Sequence, residues 1–166
     1  LQGNTFQSIL AKPNGTRFGT WTYNTSSVRD NSVAGVGDFN GDGQQDILMT
    51  KPYGIGLLTL SGNSLRDIVV KPKNTWFGHW RYNATVNRGK DKIEAIADFN
   101  NDGNDDILIR SDWGTGVLKL RGNTFTTLTT HPNGSQLGAW HLSKTNKMPI
   151  IGNFDGVSGN EILVYK

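Results

Sequence analysis

Asp38-Phe39-Asn40-Gly41-Asp42-Gly43-Gln44-Gln45-Asp46 and Asp98-Phe99-Asn100-Asn101-Asp102-Gly103-Asn104-Asp105-Asp106 are two copies of one acidic loop. Each sits between apolar runs, and together they hold seven of the twelve Asp residues. Counted from the first Asp, oxygen-bearing side chains stand at positions 1, 3, 5 and 9, with Gly at position 6. That pattern suits a calcium ion, which takes roughly 6–8 oxygen ligands at about 2.3–2.6 Å around a sharp Gly turn. Without a cation the carboxylates of such a loop repel one another. Solvated Asn/Asp/Gly turns have a similar composition, but here the whole spacing recurs. About two Ca2+ per chain, in a structural role, are therefore expected.

The loops match an EF-hand only in their first half, because an EF-hand ends on a Glu at position 12 and runs into a helix. Here position 9 is Asp, followed by Ile47-Leu48-Met49 or Ile107-Leu108-Ile109. Short apolar runs bounded by turn residues read as strands. Each unit is thus strand, acidic loop, strand.

The surrounding sequence repeats with the loops. Leu1-Gln2-Gly3-Asn4-Thr5-Phe6 matches Leu60-Ser61-Gly62-Asn63-Ser64-Leu65 and Leu120-Arg121-Gly122-Asn123-Thr124-Phe125. Trp21, Trp80 and Trp140 follow at matched places, each two residues after a Gly. A third loop, Asn153-Phe154-Asp155-Gly156-Val157-Ser158-Gly159-Asn160-Glu161, has Val157 at position 5. It is expected to keep the turn and to bind metal weakly or not at all. The period is about 60 residues and spans the chain as one repeat domain, 1–166, with units near 1–59, 60–119 and 120–166. One unit reads as four strands: A, Val33–Phe39; B, Asp46–Thr50; C, Gly56–Leu60; D, Leu65–Val70. No segment has helical periodicity over a helical length. The expected fold is all-β, a β-propeller of four-stranded blades.

There are three blade equivalents, fewer than the roughly four to eight blades of a propeller. The chain is phased to begin in strands C and D and to end after A and B, so the N-terminal strands are expected to complete the last blade. Two chains would then close a six-bladed ring, a homodimer in which each supplies outer strands to the other. The alternative is a piece of a larger propeller. The chain opens at Leu1 rather than Met, and no signal-peptide pattern is read in it, so a processed chain or a fragment is expected.

Gly37-Asp38-Phe39-Asn40-Gly41-Asp42-Gly43, continued by Asp46-Ile47-Leu48, resembles the FG-GAP/VCBS repeat of integrin-type propellers. Ala97-Asp98-Phe99-Asn100-Asn101-Asp102-Gly103, continued by Asp106-Ile107-Leu108, resembles it equally. The resemblance implies structural calcium held by Asp38, Asn40, Asp42, the Gln44 carbonyl and Asp46. In the second unit the ligands would be Asp98, Asn100, Asp102, the Asn104 carbonyl and Asp106. It also implies binding rather than chemistry. Members include integrin ectodomains, accessory modules of secreted enzymes and toxins, and lectins with sugar pockets on the propeller face or between blades. Fold alone does not fix function. The expected function is a calcium-stabilised multivalent lectin; the alternative is a protein-interaction or adhesion module, or part of a larger secreted enzyme or toxin.

Candidate ligand residues lie in the crossing segment between units: Trp21 and Tyr23; His79, Trp80, Arg81 and Tyr82; Trp140 and His141. Trp and Tyr rings stack on sugar C–H faces, and polar neighbours bond hydroxyls. One Trp per blade would equally well fill the space between blades. Tyr53 and Trp113 stand at matched B–C turns and face either a ligand or an interface.

The net charge is +3, with basic residues scattered rather than clustered, which argues against nucleic acid. The expected partners are glycans or glycoconjugates. No run is long enough to cross a membrane as a helix, and without Cys there are no disulfides, thiol catalysis or Cys-ligated zinc. Secretion is expected, because such loops suit millimolar extracellular calcium. Asn14, Asn24, Asn83 and Asn133 head glycosylation sequons. No nucleophile elbow, HExxH or phosphate loop is found. Asp30, Asp67, Asp91, Asp112 and Glu94 lie outside the loops with no pairing visible in sequence, so no enzyme activity is expected.

Overall fold

The computed structural model describes residue 8 and residues 10–23, 31–83 and 91–165. The N-terminal repeat element at residues 1–6, the Asn24 sequon and Asp30 lie outside those residues. So do most of the N-terminal strands expected to complete the last blade.

Sixteen strands follow in order among the described residues: β1 Arg17–Phe18, β2 Trp21–Thr22, β3 Ser32–Gly37, β4 Asp46–Lys51, β5 Gly54–Ser61, β6 Ser64–Pro72, β7 Trp76–Phe77, β8 Trp80–Arg81, β9 Lys92–Ala97, β10 Asp106–Arg110, β11 Gly114–Arg121, β12 Thr124–Pro132, β13 Gln136–Leu137, β14 Trp140–His141, β15 Lys147–Gly152 and β16 Glu161–Tyr165. Among the described residues there is no helix. Strands β3-β4-β5-β6 form one antiparallel meander and β9-β10-β11-β12 a second; among the described residues β15 and β16 pair with each other and with no further strand. The sheets have the make-up expected of propeller blades, two of four strands and one of two. The crossing segments, left without strands in the sequence reading, are small hairpins: β1–β2, β7–β8 and β13–β14. Strands C and D run longer at both ends than the apolar runs, as β5 and β6, because a hydrogen-bonded ladder continues beyond the side chains that are buried.

The two faces of each blade follow from the period-2 alternation of a strand. Leu48, Ile55, Leu57 and Val69 of the first blade join Ile107, Ile109, Leu118 and Phe125 of the second in one core, with Phe77, Trp80 and Tyr82 of the second hairpin between them. The other face of the second blade carries Leu108 and Val117, which meet Leu142, just after the third hairpin, and Met148, Ile162 and Val164 of the third sheet. The other face of the first blade holds Met49 and Leu58 under Phe18 and Trp21. Each hairpin therefore covers the rear face of the blade that follows it. The leading strands β3, β9 and β15 are neighbours, as the innermost strands of stacked blades would be.

Candidate metal centre and aromatic ligand surface

In a meander the A–B loops and the C–D turns share one end of the blade, and the B–C turns occupy the other. The acidic loops thus lie at one end, and Tyr53 and Trp113 at the opposite end.

At the acidic end the first Asp of each loop accepts backbone amides. Asp38 takes N–H donors from Gly41, Asp42 and Gly43 at 2.8, 3.1 and 2.8 Å. Asp98 takes those of Asp102 and Gly103 at 3.2 and 2.9 Å. Asp42 Oδ1 and Asp102 Oδ1 accept the amides of Gln44 and Asn104. Gly43 and Gly103 have φ of +83° and +86°, the left-handed region that position 6 requires and a side chain resists. Among the described residues, no three carboxylate or imidazole groups converge on one point, because Asp38 and Asp98 are turned toward amides.

The position-9 carboxylates are different. Asp46 and Asp106 are fully buried beneath their loops. Neither oxygen of Asp46, nor Oδ1 of Asp106, has a hydrogen-bond partner. Asp106 Oδ2 accepts from Phe99 N–H at 3.2 Å and the Asn100 amide at 3.0 Å. Burial pushes the Asp106 carboxyl up to about 7, and the charges of Asp102 and Asp98 add to the rise. Burial likewise raises Asp46, with Asp42 and Asp38 contributing; the nearby Thr59 hydroxyl and Phe39 amide oppose this without a well-formed hydrogen bond. A buried, unpaired carboxylate is costly. An all-oxygen loop with such groups at its base fits a hard divalent cation.

The third loop closes on itself. The Asn153 amide donates to the Val157 carbonyl at 2.5 Å, its Oδ1 accepts from Gly156, and Glu161 accepts from Phe154 N–H at 2.7 Å. Adjacent loops are also linked. Asp38 N–H donates to Asp105 Oδ2 and Asp105 N–H to the Asp38 carbonyl, both at 2.8 Å. Asn160 repeats the link toward the Asp98 carbonyl. Position 8 thus ties each loop to the one before it, a role invisible within a single loop sequence.

At the other end the structure separates the aromatic candidates. Trp21, Trp80 and Tyr82 are enclosed in the core, so they are packing residues and unavailable to stack on a sugar. A Cβ on Gly56 would lie 2.6 Å from the Trp21 ring, and one on Gly116 2.8 Å from the Trp80 ring. Glycine in strand C makes room for each indole. Tyr23 is half-buried against the Trp21 cluster, and Lys51 Nζ lies 3.9 Å over the Trp21 ring. Trp80 Nε1 donates to Asp91 Oδ2 at 3.1 Å, as Asn83 N–H does at 2.6 Å. Asp91 is therefore a core acceptor, and burial pushes it up to about 6. Asp67 and Glu94 also find partners, in the Thr20 hydroxyl and in Arg110.

Tyr53, Trp113, His79, Arg81, Trp140 and His141 are exposed. Trp113 stacks on Trp80 with ring centroids 4.4 Å apart. Lys73 lies 5.7 Å from the Tyr53 ring, and Arg81 6.0 Å from the ring of Trp76. Trp76, exposed on β7, was missed in the sequence because Arg17 and Gln136 stand at its repeat positions. Lys73 N–H donates to the Tyr53 carbonyl, and Asn74 N–H to the Tyr82 carbonyl. These bonds tie the B–C turn to the second hairpin, so Tyr53 and Trp76 project from one connected group of turns.

Residues 31–70, which hold the first acidic loop and nearly all of the first blade, form an FG-GAP repeat. No curated protein and no solved structure matches the chain.

Proposed function

We propose that this protein is a calcium-stabilised, non-catalytic carbohydrate-binding protein that works outside the cell. The calcium reading rests on the buried carboxylates of Asp46 and Asp106 beneath their loops. The cations would be held by Asp38, Asn40, Asp42, the Gln44 carbonyl and Asp46, and by Asp98, Asn100, Asp102, the Asn104 carbonyl and Asp106. They would supply positive charge beyond that of Lys119, which lies 3.4 Å from Asp102 in the second loop.

The observation carrying the carbohydrate reading is the exposed aromatic surface at the opposite end, with cations beside its rings. Tyr53, Trp76 and Trp113 offer faces for sugar C–H groups, and Lys73, Arg81 and His79 supply donors for hydroxyls. Because the turns are hydrogen-bonded to one another, little loop ordering opposes binding. Tyr53 and Trp113 stand at matched turns of successive blades, and weak contacts at both would gain from valency on a multivalent glycan.

A glycan array in millimolar calcium, with a matched chelator lane, tests this. Saturable binding to one sugar class is expected. Trp76→Ala should weaken it at least tenfold while leaving the melting temperature within about 2 °C, since exposed positions contribute little to stability. A blank array from folded, calcium-loaded protein would transfer the aromatic surface to a protein partner.

A further inference from the structure

The two ends of the blade stack are matching halves of the interface already formed inside the chain. Leu48 and Leu108 are each 0% exposed where one blade meets the next, whereas Leu163, at the same place in the repeat, is 45% exposed. Phe39 is 1% exposed, and its counterpart Phe154 is 58% exposed. Ile150 and Tyr165 are exposed on the same face of the third sheet. At the opposite end, Val33 and Val36 are exposed on the rear of the first blade. Beside them an apolar cavity of about 210 Å³ is lined by Phe18, Trp21, Ile47, Met49 and Leu58.

The internal contacts supply the register. Ile96 packs so closely on β3 that a Cβ on Gly35 would lie 2.4 Å from it, and one on Gly37 2.7 Å. Val36 is the first-blade counterpart of Ile96, while Ile150 and Gly152 are the third-sheet counterparts of Gly35 and Gly37. Leu10 and Lys12 line the rear cavity of the first blade. They correspond in the repeat to Val69 and Lys71 of β6, the outer strand that each blade presents to the next.

We infer that a second copy of this chain docks head to tail, its Ile150, Phe154 and Leu163 face seated on Val33, Val36 and the Trp21 cavity of the first. The Leu10–Lys12 segment then lies beside the incoming β15–β16 pair, as β6 lies beyond β4 and β5 in its own blade. The interface is heterologous, so two copies close into a ring when the rotation allows. The inference is independent of the sugar reading, since the faces are those of the blades and not of the turns.

The absence of Cys makes a clean test. Val36→Cys and Ile150→Cys proteins, purified separately and oxidised with a copper catalyst, should form a disulfide between chains when mixed, and far less when either is oxidised alone. Light scattering should give a mass at or above twice 18.2 kDa, falling to the single-chain value for Leu163→Asp with an unchanged circular dichroism spectrum. A folded chain that stays monomeric at about 100 μM would overturn the proposal and assign these faces to further blades of a longer chain. Efficient Val36→Cys self-linking would overturn it in favour of a symmetric face-to-face pair.

Discussion

Trp80 and Trp140 hold the same place in successive repeats, yet one is 0% and the other 51% exposed. Trp80 lies on Gly116 of β11, donates to Asp91 and carries Trp113 on its ring. Trp140 sits in an equivalent hairpin, but among the described residues the sheet after it has two strands, and no strand supplying a glycine floor is among them. The same motif thus becomes core or surface according to what the neighbouring strands place against it. An aromatic-polar repeat is therefore a poor guide to a ligand site by itself.

The contrast yields predictions of decreasing size. Trp80→Ala should cost about 3–5 kcal/mol, as truncation of a buried aromatic does, read from urea unfolding midpoints. A cost below 1 kcal/mol would mean that Trp80 is not enclosed in solution.

Next in size are the acidic loops. Chelator should remove about 2.7 kcal/mol per site at hundredfold saturation. Asp106→Asn should destabilise the protein in calcium but be neutral or stabilising in chelator, because it removes a buried charge that has no cation. Loss of stability of equal size in both conditions would count against the metal.

The Asp91 effect depends on pH. Its carboxyl is raised from 3.8 to about 6, so between those values the folded chain holds a proton that the unfolded chain releases. The stabilisation is complete below about pH 4 and is lost as pH rises through about 6, a change of the order of 3 kcal/mol. Melting temperatures of the parent and Asp91→Asn across pH 4–7, both in chelator, should diverge accordingly; parallel curves would refute the shift.

Smallest is Trp140→Ala, which should change stability by less than about 0.5 kcal/mol. A cost near that of Trp80→Ala would show Trp140 to be covered in solution, and would erase the contrast.

Much of the architecture was legible before any coordinates. The loop spacing located the β3–β4 and β9–β10 connections, and the Gly62-Asn63 and Gly122-Asn123 turns located those of β5–β6 and β11–β12. Residues 31–70 carried enough of the repeat to be matched independently as FG-GAP. The crossing hairpins were not legible as strands, because two-residue strands leave no periodicity. Trp76 carries no repeat signal, because Arg17 and Gln136 hold its place in the other units.

The sequence by itself determined the all-β repeat, its period and the two acidic loops, because those depend on alternation and on spacing along the chain. Only the tertiary structure decided which aromatics are enclosed, that Asp46 and Asp106 are buried without full partners, and that Asp91 is an acceptor for Trp80. Those properties depend on what a neighbouring blade places against a side chain. A repeat that reads alike in each unit cannot encode whether that neighbour is present.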